Sequence, residues 1–406
     1  MVPKDLQGKH ILFGVTGCIA IYKALEVVSA LRKRGASVKV VMTEAATRLV
    51  TPLTFRTISD SPVYSRMFDQ PRRWNVEHIA LAEWGDALVV APATANCLAK
   101  AASGVADDYL STLLLAFPGP KLFAPAMNTH MWQNAATRRN VATLRSDGHT
   151  IVEPDVGRLA SGAEGPGRFP NPETIVEEIS SFVHGDDALK GRTVLVTAGP
   201  TREYFDPVRF LSNPSTGKMG YAMAMAARER GAQVILISGP THLKNPRGVR
   251  TLRVTSAEEM KAACDEHCEE ADIRIMCAAV ADSRPKEYSS SKLKKGKDDL
   301  FGEVVPTPDI MADLGRRKGN RFLVGFAAET EGEDALINAR EKLRAKNADL
   351  MILNSVGGEE SAFGSAHNRV VVISDCAEEE LPQSHKRCLA RKLVDMVVRR
   401  LPSKET

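Results

Sequence analysis

No uncharged apolar run in the 406-residue chain approaches the ~18 residues of a membrane-spanning helix. The longest candidate, Ala87 to Ala99, is interrupted by Pro92 and Asn96. The first ten residues, MVPKDLQGKH, lack the apolar stretch of a secretory signal and run directly into a strand-like segment, so a cytoplasmic location is expected. A disulfide framework is also missing. The seven cysteines (18, 97, 264, 268, 277, 376, 388) are odd in number and scattered through apolar or helical contexts, which suits reduced thiols. Nor does charge of one sign prevail. With 54 Lys plus Arg against 50 Asp plus Glu, the net charge of +4 leaves no extended basic block for nucleic acid, only local lysine clusters.

The chain does have enough apolar material for cores, with hydrophobic residues at 43% and charged residues at 26%. At roughly 100–200 residues per domain its length implies two domains. His10 to Gly14 is a short apolar run that enters the turn Gly14-Val-Thr-Gly-Cys-Ile-Ala20. Ile21 to Arg34 then carries apolar residues at helical spacing until Gly35, and Val38 to Met42 reads as a second strand. A strand, helix, strand unit crosses over right-handedly, so the two strands should be parallel. Ala87 to Ala91 and Lys121 to Pro125 add two buried-strand runs, completing the expectation of a doubly wound parallel α/β sheet.

The pattern then restarts. Leu189-Lys-Gly191-Arg192 before Thr193 to Thr197 echoes Leu6-Gln-Gly8-Lys9 before His10 to Gly14, and Arg228 to Val234 echoes Arg32 to Val38. Gly8 to Gly35 spans 27 positions and Gly191 to Gly231 spans 40, so the second unit holds 13 extra residues, among them the loop Asn213-Pro-Ser-Thr-Gly-Lys218. Two Rossmann-like domains follow, with the boundary in His184-Gly-Asp-Asp187, giving 1–186 and 187–406.

Ligands of such sheets sit at the carboxyl ends of the strands. Gly14-x-x-Gly17 there reads either as a phosphate-binding turn or as a plain strand-to-helix turn. Met42-Thr43-Glu44 presents a hydroxyl first, which argues against NAD, and Thr94, Asn96 and Asn128 follow strands toward the same rim. His78 beside an apolar stripe is either structural or a base, and Ser161 to Phe169 is either a surface loop or a mobile flap. In the second half Asn213 to Lys218 departs from GxxxxGK[ST], because Met219 follows the lysine. Ala278 to Asp282 reads as a buried strand ending in a carboxylate, suited to metal, ribose or base recognition or to capping a turn. Lys292-Leu-Lys-Lys-Gly-Lys297 is a solvated loop or a cationic lid. Lys342 and Lys346 share a helix face, ready for phosphate or for neighbouring glutamates. Cys264, His267 and Cys268 could offer at most three metal ligands from one turn, with no partner pair.

Taken in order, these segments resemble the bifunctional coenzyme A biosynthesis family, in which a phosphopantothenoylcysteine decarboxylase is fused to a phosphopantothenate–cysteine ligase. The resemblance runs from residue 8 to about 398. It rests on Gly14 to Ala20, Pro92 to Asn96, Ala106-Asp-Asp108, Pro125-Ala-Met-Asn-Thr-His-Met-Trp132, Thr197 to Glu203, Asp206 to Asn213, Ser215 to Gly220, Ala278 to Asp282, Lys292 to Lys295 and Gly325 to Thr330. It implies a flavodoxin-like N-terminal flavoprotein domain and a C-terminal nucleotide-binding ligase domain. The ligase half should use CTP and Mg²⁺ to activate 4′-phosphopantothenate as an acyl-cytidylate, from which cysteine displaces CMP. Asn213 and Lys292 would act on that intermediate. Ala278, Asp282, Phe326, Lys342 and Lys346 would hold the nucleotide, and Asp282 the metal. The other half should bind FMN at Gly17, Cys18, Ile19, Thr43, Thr94, Asn96 and Asp107, and oxidise the substrate's thiol so that the adjacent carboxylate can leave. His78 is the matching base, and Asn128 the residue for the substrate carboxylate. Trimer-built shells of flavin domains with ligase dimers complete the implied assembly.

One position departs from the family's better-known flap, Ala-Cys-Gly, whose cysteine is the proton donor. This chain has Ala160-Ser161-Gly162. A serine hydroxyl is a far weaker acid than a thiol of pKa about 8.5. Ser161 could relay a proton from water, another group could replace it, or the flavin half could release an enethiol or serve only as a scaffold. A flavin-binding regulatory subunit or a peptide-cysteine decarboxylase would leave the ligase half unexplained.

Overall fold

The computed structural model describes residues 2–67, 77–293, 303–329, 334–355 and 364–401. Two compact units, Val2–His184 and Gly185–Thr406, account for the chain.

In the first unit six parallel strands, β1 (His10–Val15), β2 (Ser37–Met42), β3 (Val63–Tyr64), β4 (Ala87–Ala93), β5 (Lys121–Pro125) and β6 (Thr150–Ile151), lie in the order β3-β2-β1-β4-β5-β6. Without the two-residue edge strand β3 this is the 2-1-3-4-5 order of flavodoxin-like sheets. The central strands are almost wholly apolar because both faces are covered. Phe13 points into a core with Val27, Leu31, Ile175 and Ile179, and its neighbour Leu12 into one with Leu88, Leu98, Leu110 and Leu113. Helices Ile21–Lys33 and Pro172–His184 thus cover one face, and Ala95–Ser103 and Tyr109–Ala116 the other.

After this sheet, the segment read as a loop or flap is a β-hairpin, β7 (Asp155–Arg158) with β8 (Glu164–Arg168). Its glycines and prolines hid the strands. Gly157, Gly165 and Gly167 adopt positive φ, which only a glycine-rich hairpin accommodates readily.

The second unit repeats the plan on a larger scale. Strands β9 (Thr193–Ala198), β10 (Arg202–Tyr204), β11 (Phe210–Ser212), β12 (Gln233–Ser238), β13 (Arg250–Arg253), β14 (Ile273–Met276), β15 (Ser283–Pro285), β16 (Val304–Pro306), β17 (Phe322–Glu329), β18 (Leu350–Ser355), β19 (His367–Ile373) and β20 (Glu378–His385) include an eight-stranded sheet. Its order is β13-β12-β9-β14-β17-β18-β19-β20. It is parallel as far as β18; β19 and β20 add an antiparallel edge. Val194 and Val196 pack on helices Lys218–Glu229 and Lys386–Val398, while Leu195 faces Met260, Cys264, Leu314 and Leu343.

One expectation is corrected. The buried strand is not Ala278 to Asp282 but β14, and Ala278 to Asp282 form the loop beyond it. Arg274, fully buried in the middle of β14, interrupts the apolar pattern that marks a strand. Its guanidinium donates to the carbonyls of Cys268 at 2.8 Å and Leu314 at 3.2 Å, at the carboxyl ends of two helices. There a cation opposes the helix dipoles favourably.

Candidate functional site

Each unit reverses its strand order beside its first strand, and a threonine at the end of that strand closes the gap. Thr16, buried after β1, donates from Oγ1 to the Pro92 carbonyl at 2.7 Å and accepts from the Thr94 amide at 3.1 Å. Thr197, buried within the end of β9, accepts at Oγ1 from the amides of Cys277 and Ala278, both at 3.1 Å. The internal echo of the sequence therefore extends to the floors of the two crevices.

Around Thr16 lie most of the residues expected to hold the flavin. Thr43, Thr94 and Asn128 are the N-caps of the helices that follow β2, β4 and β5, accepting from Ala46, Cys97 and His130 at 3.3, 3.3 and 2.9 Å. Three helix N-termini thus sit at one end of the sheet, an arrangement that favours an anionic group. Gly17 passes so close to the segment after β2 that a Cβ there would meet that of Ala45 at 2.6 Å, so packing alone demands the glycine. Ile19 is 62% exposed in this polar turn and Asn96 is exposed in the first turn of its helix, an apolar face and an amide suited to a ring-bearing cofactor. Cys18 donates to the Ala126 carbonyl at 3.6 Å, and burial pushes its thiol pKa up, so it stays protonated. Asp107 is bonded to Lys100 at 2.6 Å, which holds its carboxyl below the usual range.

The hairpin approaches the Asn128 segment, with the Met127 amide donating to Gly167 O at 3.0 Å. Beneath it the Thr129 hydroxyl is buried without a hydrogen-bond partner among the described residues. Ser161 is exposed at the hairpin's tip, in a turn closed by Gly162 N donating to Leu159 O at 2.9 Å. His78 is half-buried in the first turn of helix Glu77–Trp84; Asn75 and Val76 before it lie outside the described residues.

In the second unit a cavity of about 820 Å³ opens at the carboxyl ends of β9, β14 and β17. Asn213, Ala278, Asp282, Phe326, Lys342 and Lys346 all line it. Asn213 donates from Nδ2 to the carbonyls of Ala279 and Val280 at 3.2 and 3.0 Å, which leaves Oδ1 as an acceptor. Lys342 pairs with Glu329 at 2.5 Å rather than with Glu341, and Lys346 pairs with Asp309. Asp282 is exposed at the rim.

Lys292 is exposed and outside the cavity lining; Lys294 to Lys297 and Thr330 lie outside the described residues. What fixes the base of the Lys292 segment is Asp206, which the sequence reading quoted without a role. Its carboxylate accepts from the amides of Val208, Arg209 and Leu293 at 2.7, 2.8 and 3.1 Å. Burial acts to raise its pKa, but these three bonds and Arg209 outweigh that and hold it low.

Sequence reasoning also missed Asp309, Asn354, Asn368 and Lys386 in the lining. Asn368 donates to Asn354 at 2.6 Å, and nothing in their local spacing signals it. Cys264 and Cys268 are buried in the core and His267 is bonded to Glu270 at 2.5 Å. Among the described residues no group of three or more His, Cys, Asp or Glu could hold a metal ion, and no helix is long and apolar enough to cross a membrane.

Known proteins place these crevices in context. Residues 1–184 match the family model described as Flavoprotein, and residues 189–401 that of the DNA/pantothenate metabolism flavoprotein C-terminal domain. The coenzyme A biosynthesis bifunctional protein CoaBC of Bacillus subtilis (strain 168) is 46% identical over 381 residues, 93% of either chain. The protein of that name from Haemophilus influenzae (strain ATCC 51907 / DSM 11121 / KW20 / Rd) is 42% identical over 396 residues, 97% of this chain and 98% of its own. A crystal structure of the C-terminal domain of a coenzyme A biosynthesis bifunctional protein is 40% identical, covering 53% of this chain and 97% of that one at a TM-score of 0.45. With relatives of this identity aligned along nearly its whole length, the chain belongs to the family of coenzyme A biosynthesis bifunctional proteins.

Proposed function

We propose that residues 187–406 join cysteine to 4′-phosphopantothenate using CTP, and that residues 1–186 then decarboxylate the phosphopantothenoylcysteine with FMN to give 4′-phosphopantetheine. The observation that carries the ligase half is convergence: Asn213, Ala278, Asp282, Phe326, Lys342 and Lys346, spread over 134 positions, line one cavity.

On this reading the substrate carboxylate attacks the α-phosphorus of CTP and pyrophosphate leaves. The amine of cysteine then attacks the acyl carbon and CMP leaves. Lys342 and Lys346 exchange Glu329 and Asp309 for the triphosphate, whose charge no neutral lining could absorb. Asp282 at the rim would hold Mg²⁺, which supplies charge neutralisation of the phosphates. The committed Nδ2 of Asn213 leaves Oδ1 to orient the attacking amine, and Lys292 closes on the acyl-cytidylate from the segment anchored by Asp206.

In the first half, bound FMN supplies reversible two-electron oxidation of the substrate's thiol-bearing carbon. Gly17, Cys18, Ile19, Thr43, Thr94, Asn96 and Asp107 would hold it. Asn128 Oδ1 is taken by the His130 amide, so its Nδ2 is the group that binds the substrate carboxylate. His78 takes the proton, and Ser161 at the exposed hairpin tip relays one back from water. A homo-oligomer of trimer-based flavin domains and ligase dimers, in the cytoplasm, is the assembly this reading carries.

The test supplies the protein with 4′-phosphopantothenate, cysteine, CTP and Mg²⁺, follows pyrophosphate, and weighs the product. 4′-Phosphopantetheine is expected. A product two hydrogens lighter would remove Ser161 from its role, accumulated phosphopantothenoylcysteine would remove the decarboxylase, and no pyrophosphate would overturn the ligase.

A further inference from the structure

Beside Asn128 in the first unit stands a polar group with nothing to bind. Thr129 opens the short helix Thr129–Gln133, and its Oγ1 is buried with no hydrogen-bond partner among the described residues. A hydroxyl can donate one hydrogen bond and accept others, and shutting it away from water unpaired costs free energy, so an orphan of this kind calls for an explanation. What lies over it is the hairpin. A Cβ on Gly165 of β8 would meet Thr129 Oγ1 at 2.6 Å and Cγ2 at 3.0 Å, and a Cβ on Gly167 would collide with the Met127 carbonyl. The two glycines thus let the hairpin lie directly on Met127 to Thr129, where the Met127 amide donates to Gly167 O at 3.0 Å. Asn128 Oδ1 is committed to the His130 amide at 2.9 Å. Asn128 Nδ2 and the Thr129 hydroxyl are therefore two neutral donors on adjacent residues.

We infer that Thr129 is a second substrate-binding residue of the first unit, its hydroxyl donating beneath the hairpin to the same carboxylate that Asn128 Nδ2 receives. The inference rests on the decarboxylase reading, under which the substrate carries a carboxylate and the product does not. An ionised carboxylate has two oxygens to offer two donors, and hydrogen bonds to a charged acceptor are roughly twice as strong as neutral ones. Gly165 has no side chain that an entering oxygen would have to displace. In the free protein the hydroxyl is unsatisfied, so the bond it forms on binding replaces no existing one. Once CO₂ has left, its acceptor is gone. The hydroxyl therefore holds the substrate and not the product.

Thr129→Val removes the hydroxyl and keeps the shape of the side chain. In initial-rate decarboxylation by the flavin-bound full chain, it should raise KM for phosphopantothenoylcysteine roughly ten- to hundredfold, the loss expected for a hydrogen bond to a charged group, and leave inhibition by 4′-phosphopantetheine, which lacks that carboxylate, within about twofold. Thr129→Ser, which retains the hydroxyl, should restore most of the KM. An unchanged KM in a folded Thr129→Val protein overturns the inference. Equal weakening of substrate and product also overturns it, since the residue would then serve only the shape of the pocket. Loss of flavin absorbance from the purified variant would assign the hydroxyl to the cofactor and overturn it as well. Should Thr129→Val fail to fold, Thr129→Ala is read in the same way. Wild-type protein that binds phosphopantothenoylcysteine without decarboxylating it would sink the decarboxylase reading alone; calorimetric titration of wild type and variant with the same two ligands then decides the inference by the same comparison.

Discussion

Arg34 shows how much one residue can hold. Its buried guanidinium donates from Nε to buried Asp5 at 2.7 Å and to half-buried Glu177 at 3.2 Å, while buried Ser180 donates to the same Asp5 carboxylate at 2.7 Å. Arg34→Met should cost about 3–5 kcal/mol, read from urea unfolding of the first unit, because it removes the cationic partner of a buried carboxylate. Asp206 adds a pH dependence. Its folded pKa is depressed, so its contribution is fully present above the unfolded value of about 3.9 and is lost as pH falls through the lower folded value. An Asp206→Asn protein should lack that part of the acid-side loss of stability and should lose ligase turnover while keeping flavin chemistry; an unchanged ligase rate would refute the anchoring role. Thiol labelling near pH 8 should modify exposed Cys376 first and leave buried Cys97 and Cys264, both pushed up to about 12, nearly untouched, as peptide mass mapping would reveal. None of these behaviours is legible in the sequence, because Asp206 and Lys386 acquire their surroundings from partners up to 87 and 168 positions away.

At the scale of elements, the sequence marks what is locally apolar and misses what tertiary contacts permit. β1, β2, β4, β5 and β9 are legible as runs buried on both faces. β14 is not, since Arg274 breaks its run and is tolerated only because two helix ends supply carbonyls for it. The hairpin of β7 and β8 is hidden for a different reason: backbone pairing rather than side-chain pattern defines it. Its tip gives a clean prediction. Ser161→Ala should change stability by no more than about 0.5 kcal/mol, being exposed, and should leave pyrophosphate release unaltered. Its effect should appear only in the ratio of reduced to unreduced decarboxylation product, measured by mass; an unaltered ratio would show that the proton arrives by another route.

For the whole molecule, the repeat is what the sequence displays most openly. Each unit buries both faces of its own sheet, so a chain divided after His184 should yield two fragments that each unfold cooperatively in urea by far-ultraviolet circular dichroism. A fragment with no transition would show that its core is incomplete alone. The repeat already implies a larger second unit, but not its antiparallel edge, and that edge is what delivers Lys386 to the cavity.

The hydroxyls of Thr16 and Thr197 carry a consequence for how ligands are received. Because each already bridges the strands that diverge at its crevice, the floor is rigid before anything binds, and little ordering entropy remains to be lost there. Replacing either threonine by valine removes that bridge and restores an ordering cost, so ligand affinity at that crevice should fall in a calorimetric titration, and an unchanged affinity would show that the floor is held by other contacts.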